Sequence, residues 1–311
     1  MIGYLFVAAA CLCGAVKGYC GKRTSGKAAA LSDAMWINTV RMLLCIVFGF
    51  LFVLVLDHSP AALAMSGKAL VIAALSGVST SLFVVSWLLA IREGAYMMMD
   101  VFLTLGVLVP LLLCACLFGD PISPRQWVGL GLLLIATYIM CTYNNKIKKR
   151  MTVPSFLLLV LCGVANGLTA FSQKWFIHDF PTGSVTAFNF YTYVFSAAVL
   201  VFALLAIALK QKISPIQPVT ENMQTPPGGT RALIVAVLPY LAVMALCLFL
   251  HSFFSTTAAA HLTPAQLYPL SQGTSLILSL LMSAIFFHEK ITPRCIVGIV
   301  IAFGALLVIN L

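Results

Sequence analysis

Phe118-Gly-Asp-Pro-Ile-Ser-Pro-Arg-Gln-Trp-Val-Gly129 and Phe287-His-Glu-Lys-Ile-Thr-Pro-Arg-Cys-Ile-Val-Gly298 align without a gap at an offset of 169, with six of twelve positions identical. Asp120/Glu289 and Ser123/Thr292 are conservative replacements. The register extends outward into the flanking apolar stretches, where it pairs Ser86 with Ser255 and Ala136 with Ala305. Self-similarity at one fixed offset is the mark of a duplicated structural unit.

The surrounding composition says what kind of unit. Of 311 residues, 62% are apolar and 8% are charged, against roughly 25% charged in a soluble domain. A water-facing surface cannot be made from that inventory. The charges cluster between apolar runs of 17 to 27 residues, the length that crosses a hydrocarbon core of roughly 30 Å. Breaks at charge, Pro and Gly clusters predict spans over 3–19, 34–56, 69–91, 95–118, 125–143, 154–177, 183–209, 231–255, 265–287 and 293–311. The run Gly3 to Tyr19 has no positive n-region and no small-residue cleavage site before Lys22-Arg23, so it is expected to be a retained helix.

The expected fold class is therefore an all-α integral membrane protein with ten transmembrane helices. Residues 1–145 form one five-helix repeat, 146–153 a basic cytoplasmic linker, and 154–311 the second repeat. Five is odd, so the second unit enters the membrane upside down relative to the first. Such inverted-topology repeats suit carriers, because two similar halves of opposite orientation can exchange conformations around a midplane site.

Orientation follows from the basic residues. Lys17, Lys22, Arg23, Lys27, Arg92, Lys146, Lys148, Lys149, Arg150, Lys210, Lys212, Arg231, Lys290 and Arg294 fall to one alternating set of loops, and Lys68, Arg125 and Lys174 to the other. That asymmetry puts the first set in the cytoplasm and both termini outside. It also accounts for the net charge of +10 without any nucleic-acid partner. The longest loop, Lys210 to Thr230, carries four prolines and a Gly-Gly pair and reads as a flexible connector. Most of the ten cysteines lie inside apolar runs with no C-x-x-C pair, so they read as packing residues rather than a metal or redox centre.

Polar groups at membrane depth are costly and mark cavities or pairs. Arg41 lies about two turns into the second span and would bind an anionic group or pair with an acid. Asp100, after three methionines in the fourth span, would bind a cation, carry a proton, or pair with Arg41. Ordinary solvation suits Arg92 and Glu93 in the turn before it. His251 in the eighth span would donate, accept or titrate, or serve as a packing histidine.

The ninth span opens on Gln266-Leu-Tyr-Pro-Leu-Ser-Gln-Gly-Thr274. Tyr268, Ser271 and Gln272 share one helical face, while Pro269 and Gly273 predict a broken or bent helix beside a cavity. Asn166, Asn189 and Tyr193 add neutral hydrogen-bonding groups, and Trp87 an aromatic wall. For these, helix packing is the competing role. Trp36, Trp127 and Trp175 suit interfacial belts.

The tail from Phe287 to Leu311, with Phe-His-Glu-Lys-Ile-Thr-Pro-Arg followed by a Gly-containing last helix, resembles the end of small multidrug resistance transporters. It also resembles the larger, ten-helix EamA-like carriers of the drug/metabolite transporter superfamily. Gly119-Asp120 matches the pattern more loosely in the first half. The resemblance implies a basket of ten helices around a central cavity, with the fifth and tenth helices peripheral, and alternating access without ATP or another cofactor. One departure is plain: the acid that small multidrug resistance proteins carry in their first helix has no counterpart in the first or sixth span.

Together these features predict a secondary active transporter of a small polar organic solute, an amino acid or related metabolite, across the bacterial plasma membrane. Coupling to H+ and a monomeric or homodimeric state are compatible with that expectation. An exporter of organic cations or drugs, or a lipid-carrier flippase, is an alternative reading. An intramembrane enzyme built on Ser79, Ser81 and His251 is another, although no G-x-S-x-G, H-E-x-x-H or paired intramembrane aspartates support it.

Overall fold

The computed structural model describes residues 1–25, 31–92, 96–142, 153–213, 229–287 and 293–310. Among these the chain is helical apart from turns. The helices are α1 (Ile2–Ser25), α2 (Leu31–Leu56), α3 (Gly67–Arg92), α4 (Tyr96–Gly106), α5 (Leu108–Phe118) and α6 (Pro124–Thr142). They continue with α7 (Val153–Asp179), α8 (Val185–Ile213), α9 (Gly229–Ala259), α10 (Pro264–Phe287) and α11 (Pro293–Asn310), and a short 3-10 turn at Pro60–Leu63 follows α2. Six helices, within α1, α2, α3, α7, α8 and α9, have the length and apolarity to cross a membrane, and Phe102–Phe118 and Ile296–Ile309 are shorter apolar stretches. Helices are the natural outcome, because lipid offers no partner for an open backbone N–H or C=O.

The exterior is apolar, unlike that of a soluble domain, while the largely apolar interior also holds polar side chains. Val71, Phe202, Val235 and Val300 are more than 60% exposed, whereas Asn38, Arg41, Ser76, Ser196 and Thr256 are buried. Apolar side chains face the hydrocarbon, and small hydroxyl residues fill the contacts between helices. On α3, Ser76, Ser79, Ser81 and Ser86 are buried, and this helix packs on both α7 and α8. Elsewhere α1 packs on α9, α2 on α8, and α6 on α11.

Three sequence expectations change in detail. The fourth span, expected as one helix over 95–118, divides at Val107 into α4 and α5. Pro110 has no N–H for the Gly106 carbonyl, and its ring crowds that oxygen. The Gly106 carbonyl is instead pressed against α7, where Gly163 and Gly167 present bare backbone. A Cβ on Gly163 would lie 2.3 Å from the Phe102 carbonyl oxygen, and one on Gly167 2.4 Å from that of Gly106.

Second, α10 is not broken at Pro269 and Gly273 but runs continuously from Pro264 to Phe287. Pro269 stands early in the helix, where one missing hydrogen bond is tolerated. Gly273 instead lets Leu306 of α11 approach, since a Cβ there would meet Leu306 Cδ2 at 2.8 Å. Third, α1 continues past the expected end at residue 19 to Ser25, so Lys22 and Arg23 are helical residues and not part of a loop.

The diagnostic stretch around Phe118 turns out to be helix punctuation. Gly119 adopts φ 70° at the end of α5, and the Asp120 N–H reaches back to the Cys114 carbonyl at 3.5 Å, a left-handed helix stop. Four residues later Ser123 and Gln126 form a reciprocal capping box at the start of α6, with distances of 2.9 and 3.3 Å. Thr263-Pro-Ala-Gln266 starts α10 in a related way, with Gln266 Oε1 accepting from the Thr263 N–H and hydroxyl. The second copy of the stretch falls largely at 288–292, outside the described residues, as do the 146–152 part of the basic linker and positions 214–228 of the long connector.

Candidate functional site

One end of the bundle is tied shut. Asp57, at the end of α2, accepts from Ser184 at 2.9 Å and from Thr186, while Ser184 also caps the first turn of α8. Asp179, closing α7, accepts from the Trp175 indole at 2.8 Å and pairs with Lys68 of α3 at 2.8 Å. Lys174 donates to the carbonyls of Ala259, at the end of α9, and of Leu262, just beyond it, at 2.8 and 3.3 Å. Phe6 of α1 stacks on His261, with ring centroids 6.0 Å apart, and Gly3 abuts Leu262.

From behind this closed end a cleft runs toward the opposite end, with Lys22, Met99 and Met282 among its lining. It lies between α1, α3, α4, α7, α9 and α10, and its cavity volume is about 200 Å³. Pockets for drug-sized ligands measure roughly 300–1,000 Å³, so this space suits a smaller solute. Tyr268 stands near the closed end, where its hydroxyl donates to the Ala170 carbonyl at 3.1 Å. Trp87 lies on the α1 side, and Gly21 admits its ring: a Cβ there would meet the indole at 2.3 Å.

The structure distributes the sequence-predicted residues unequally. Trp87, Asn166, His251, Tyr268 and Gln272 line the cleft, and so does Ser271. His251 Nδ1 lies 2.7 Å from the Ala10 carbonyl. A carbonyl can only accept, so Nδ1 carries the hydrogen and Nε2 of the neutral ring is an acceptor.

Asn189 and Tyr193 stand in the packing behind the cleft. Ser252 donates to Asn189 Oδ1 at 2.5 Å and accepts from Gln173 Nε2 at 3.0 Å, a relay from α7 through α9 to α8. Tyr193 donates to the Leu248 carbonyl at 3.1 Å. Arg41 is 1% exposed and does not line the cleft, and its Nε and Nη2 have no hydrogen-bond partner among the described residues. The side chains of Asp100, Arg92 and Glu93 lie outside the described residues, and with them the expected pairing of Arg41 with Asp100.

Sequence reasoning missed Lys17, counting it with the loop charges although it falls within the expected span 3–19. It lines the cleft with its ammonium 5.8 Å from the centroid of the Phe83 ring. The signal available was the apolar continuation on either side of it, since Gly18, Tyr19 and Cys20 do not interrupt a helix. The serine-histidine arrangement considered for an enzyme does not form. Ser81 donates to its own helix at the Val78 carbonyl, 2.7 Å away, and neither Ser79 nor Ser81 lines the cleft that holds His251.

A closed end, a cleft carrying polar side chains between long apolar helices, and an apolar exterior define a multi-pass membrane protein with an internal solute-sized space. The chain belongs to the EamA-like transporter family, whose model matches residues 1–142 and 153–311. Members of that family are membrane transporters of the drug/metabolite transporter superfamily, not enzymes. Among solved structures 28 chains match. One, described as "Crystal structure of protein", is 15% identical with a TM-score of 0.64, covering 98% of this chain and 95% of its own. At that identity the likeness is one of fold. No curated protein matches the chain.

Proposed function

We propose that this chain is a secondary active transporter that moves a small polar organic solute across the plasma membrane by alternating access, from ten spans arranged as an inverted 5+5 repeat. The observation that carries this reading is the cleft itself: closed at one end by hydrogen bonds and stacked rings, lined by polar side chains midway, and bordered by Lys22 and Met282 toward the other. The basic residues favour the cytoplasm for that second end, which makes this an inward-open state with both termini outside.

The repeat is supported by the family model matching each half and by the way the helices pair. Counting α4 and α5 as one span, exchanging the first five spans with the second five turns the α1–α9 contact into the α7–α3 contact. The same exchange turns the α2–α9 contact into the α8–α3 contact and maps the α6–α11 and α2–α8 contacts onto themselves. The small cavity favours a metabolite over a drug. Reconstitution into proteoliposomes tests the reading: saturable, protein-dependent uptake of at least one member of a radiolabelled panel of amino acids and small metabolites is expected, and a panel without flux, with and without a pH gradient, would remove its support.

A further inference from the structure

We propose that the solute held in the cleft is a small organic anion, a monocarboxylate with an apolar or aromatic body, and that the Lys17 ammonium is the group that anchors it. This rests on the reading of the cleft as a solute site and names the chemistry of its occupant.

Lys17 stands eight residues before the end of α1, about 12 Å along the helix axis. A lysine placed there near an open bilayer would extend its stem to carry the charge to the headgroups. This one instead lies half-buried in the cleft over the Phe83 ring. No carboxylate pairs with it among the described residues. Among the described residues the charged and titratable groups around it are Arg41 and Cys45 of α2, Cys162 of α7, and Cys247 and His251 of α9, and none carries a carboxyl group. Arg41 is itself a buried cation, two of whose nitrogens have no hydrogen-bond partner among the described residues.

The described lining of the cleft contains two lysines and no Asp or Glu. A cation taken out of water is costly unless an opposite charge meets it. A carboxylate entering from the Lys22 end supplies that charge, and the low local dielectric strengthens the pair. The aromatic face of Phe83 stabilises the ammonium weakly when the site is empty.

The lining also narrows the anion. Arg41, whose planar fork would suit a phosphate bidentately, is walled off, so Lys17 is the point charge offered midway along the cleft, with Lys22 toward its open end. Other polar groups of the lining, Gln272, Asn166 and Ser271 among them, are neutral, and Trp87 and Phe83 offer flat apolar walls. One carboxylate on a compact, flat body matches this better than a dianion or a sugar phosphate.

The test uses full-length protein in detergent and three near-isosteres: phenylacetate, phenylacetamide and phenethylamine. Binding is read by calorimetry and thermal shift, and flux of labelled phenylacetate by proteoliposome uptake. Phenylacetate is expected to bind saturably and the amide and amine at least about tenfold more weakly, with Lys17→Met losing about tenfold or more of the phenylacetate affinity and Lys17→Arg keeping most of it. Equal binding of the amide, no binding of phenylacetate, or unchanged affinity in Lys17→Met overturns the proposal. Preferred binding of phenethylamine that is lost in Asp100→Asn overturns it in favour of a cation site. Lys17-dependent binding without flux leaves the anion site standing and counts against the carrier reading. Flux of neutral or cationic solutes indifferent to Lys17→Met does the reverse. Thermal unfolding of Lys17→Met near the native temperature establishes that lost binding is not lost folding.

Discussion

Single polar contacts do two separate jobs in this molecule, and the difference sets what each substitution does. The His251 to Ala10 bond, 2.7 Å long, ties α9 to α1 at the wall of the cleft. His251→Leu removes the donor and leaves a carbonyl that its own helix still satisfies, so destabilisation of about 1 kcal/mol is expected, read as a modestly lower unfolding temperature in detergent. Lys174 acts at the closed end, where its ammonium holds the carbonyl of Ala259, the last residue of α9, and that of Leu262 in the turn beyond it. Lys174→Met is expected to loosen that end. In a cysteine-free background, a cysteine at position 262 then reacts faster with a membrane-impermeant maleimide than it does with Lys174 intact. An unchanged labelling rate would show that Lys174 does not hold the closure.

At the scale of the helices, close approach of backbones decides the packing. The α4–α7 crossing depends on Gly163 and Gly167, spaced by four, which let the carbonyls of Phe102 and Gly106 sit directly against the α7 backbone. Gly163→Ala forces a Cβ to within 2.3 Å of a backbone oxygen, and no rotamer change relieves a clash with main chain. A loss of about 1–3 kcal/mol is expected, seen as a lower unfolding temperature and a broadened size-exclusion peak. Gly131→Ala is the matched control, because nothing lies within 4 Å of its added Cβ. Equal stability of the two variants would contradict the crossing described here.

For the molecule as a whole, transport by alternating access requires the closed end to open. Gly3 of α1 and Leu262, before α10, meet there: a Cβ on Gly3 would be 2.9 Å from Leu262 Cγ, which places the two positions within reach of a disulfide. In a cysteine-free background, Gly3→Cys with Leu262→Cys is expected to abolish flux on oxidation and regain it on reduction, while binding from the open end persists. Undiminished flux of the oxidised protein would mean that this end does not open during the cycle.

The membrane class was legible in composition, because 8% charged residues cannot cover a water-soluble fold. The places where helices stop and start were legible in the stretch around Phe118, because Gly119, Ser123 and Gln126 act on their own backbone within a few residues. Local chemistry of that kind needs no partner from elsewhere in the chain. The division of the fourth span at Val107 was carried by Pro110, but the sequence left it unresolved, since a proline early in one helix, Pro269, breaks nothing while Pro110 does.

The site was legible only in part, for a different reason. Polarity at membrane depth singled out Trp87, Asn166, His251, Tyr268 and Gln272, which the fold gathers around one cleft. The same criterion singled out Arg41, Asn189 and Tyr193, which the fold turns into the packing behind it. Depth depends on position along a helix, which the sequence states, whereas the direction a side chain faces depends on which neighbour each helix packs against. Lys17 shows the consequence. Its place beside Lys22 and Arg23 made it look like part of a basic loop, and only the packing of α1 on α9 turns it toward the cleft, over Phe83 of α3.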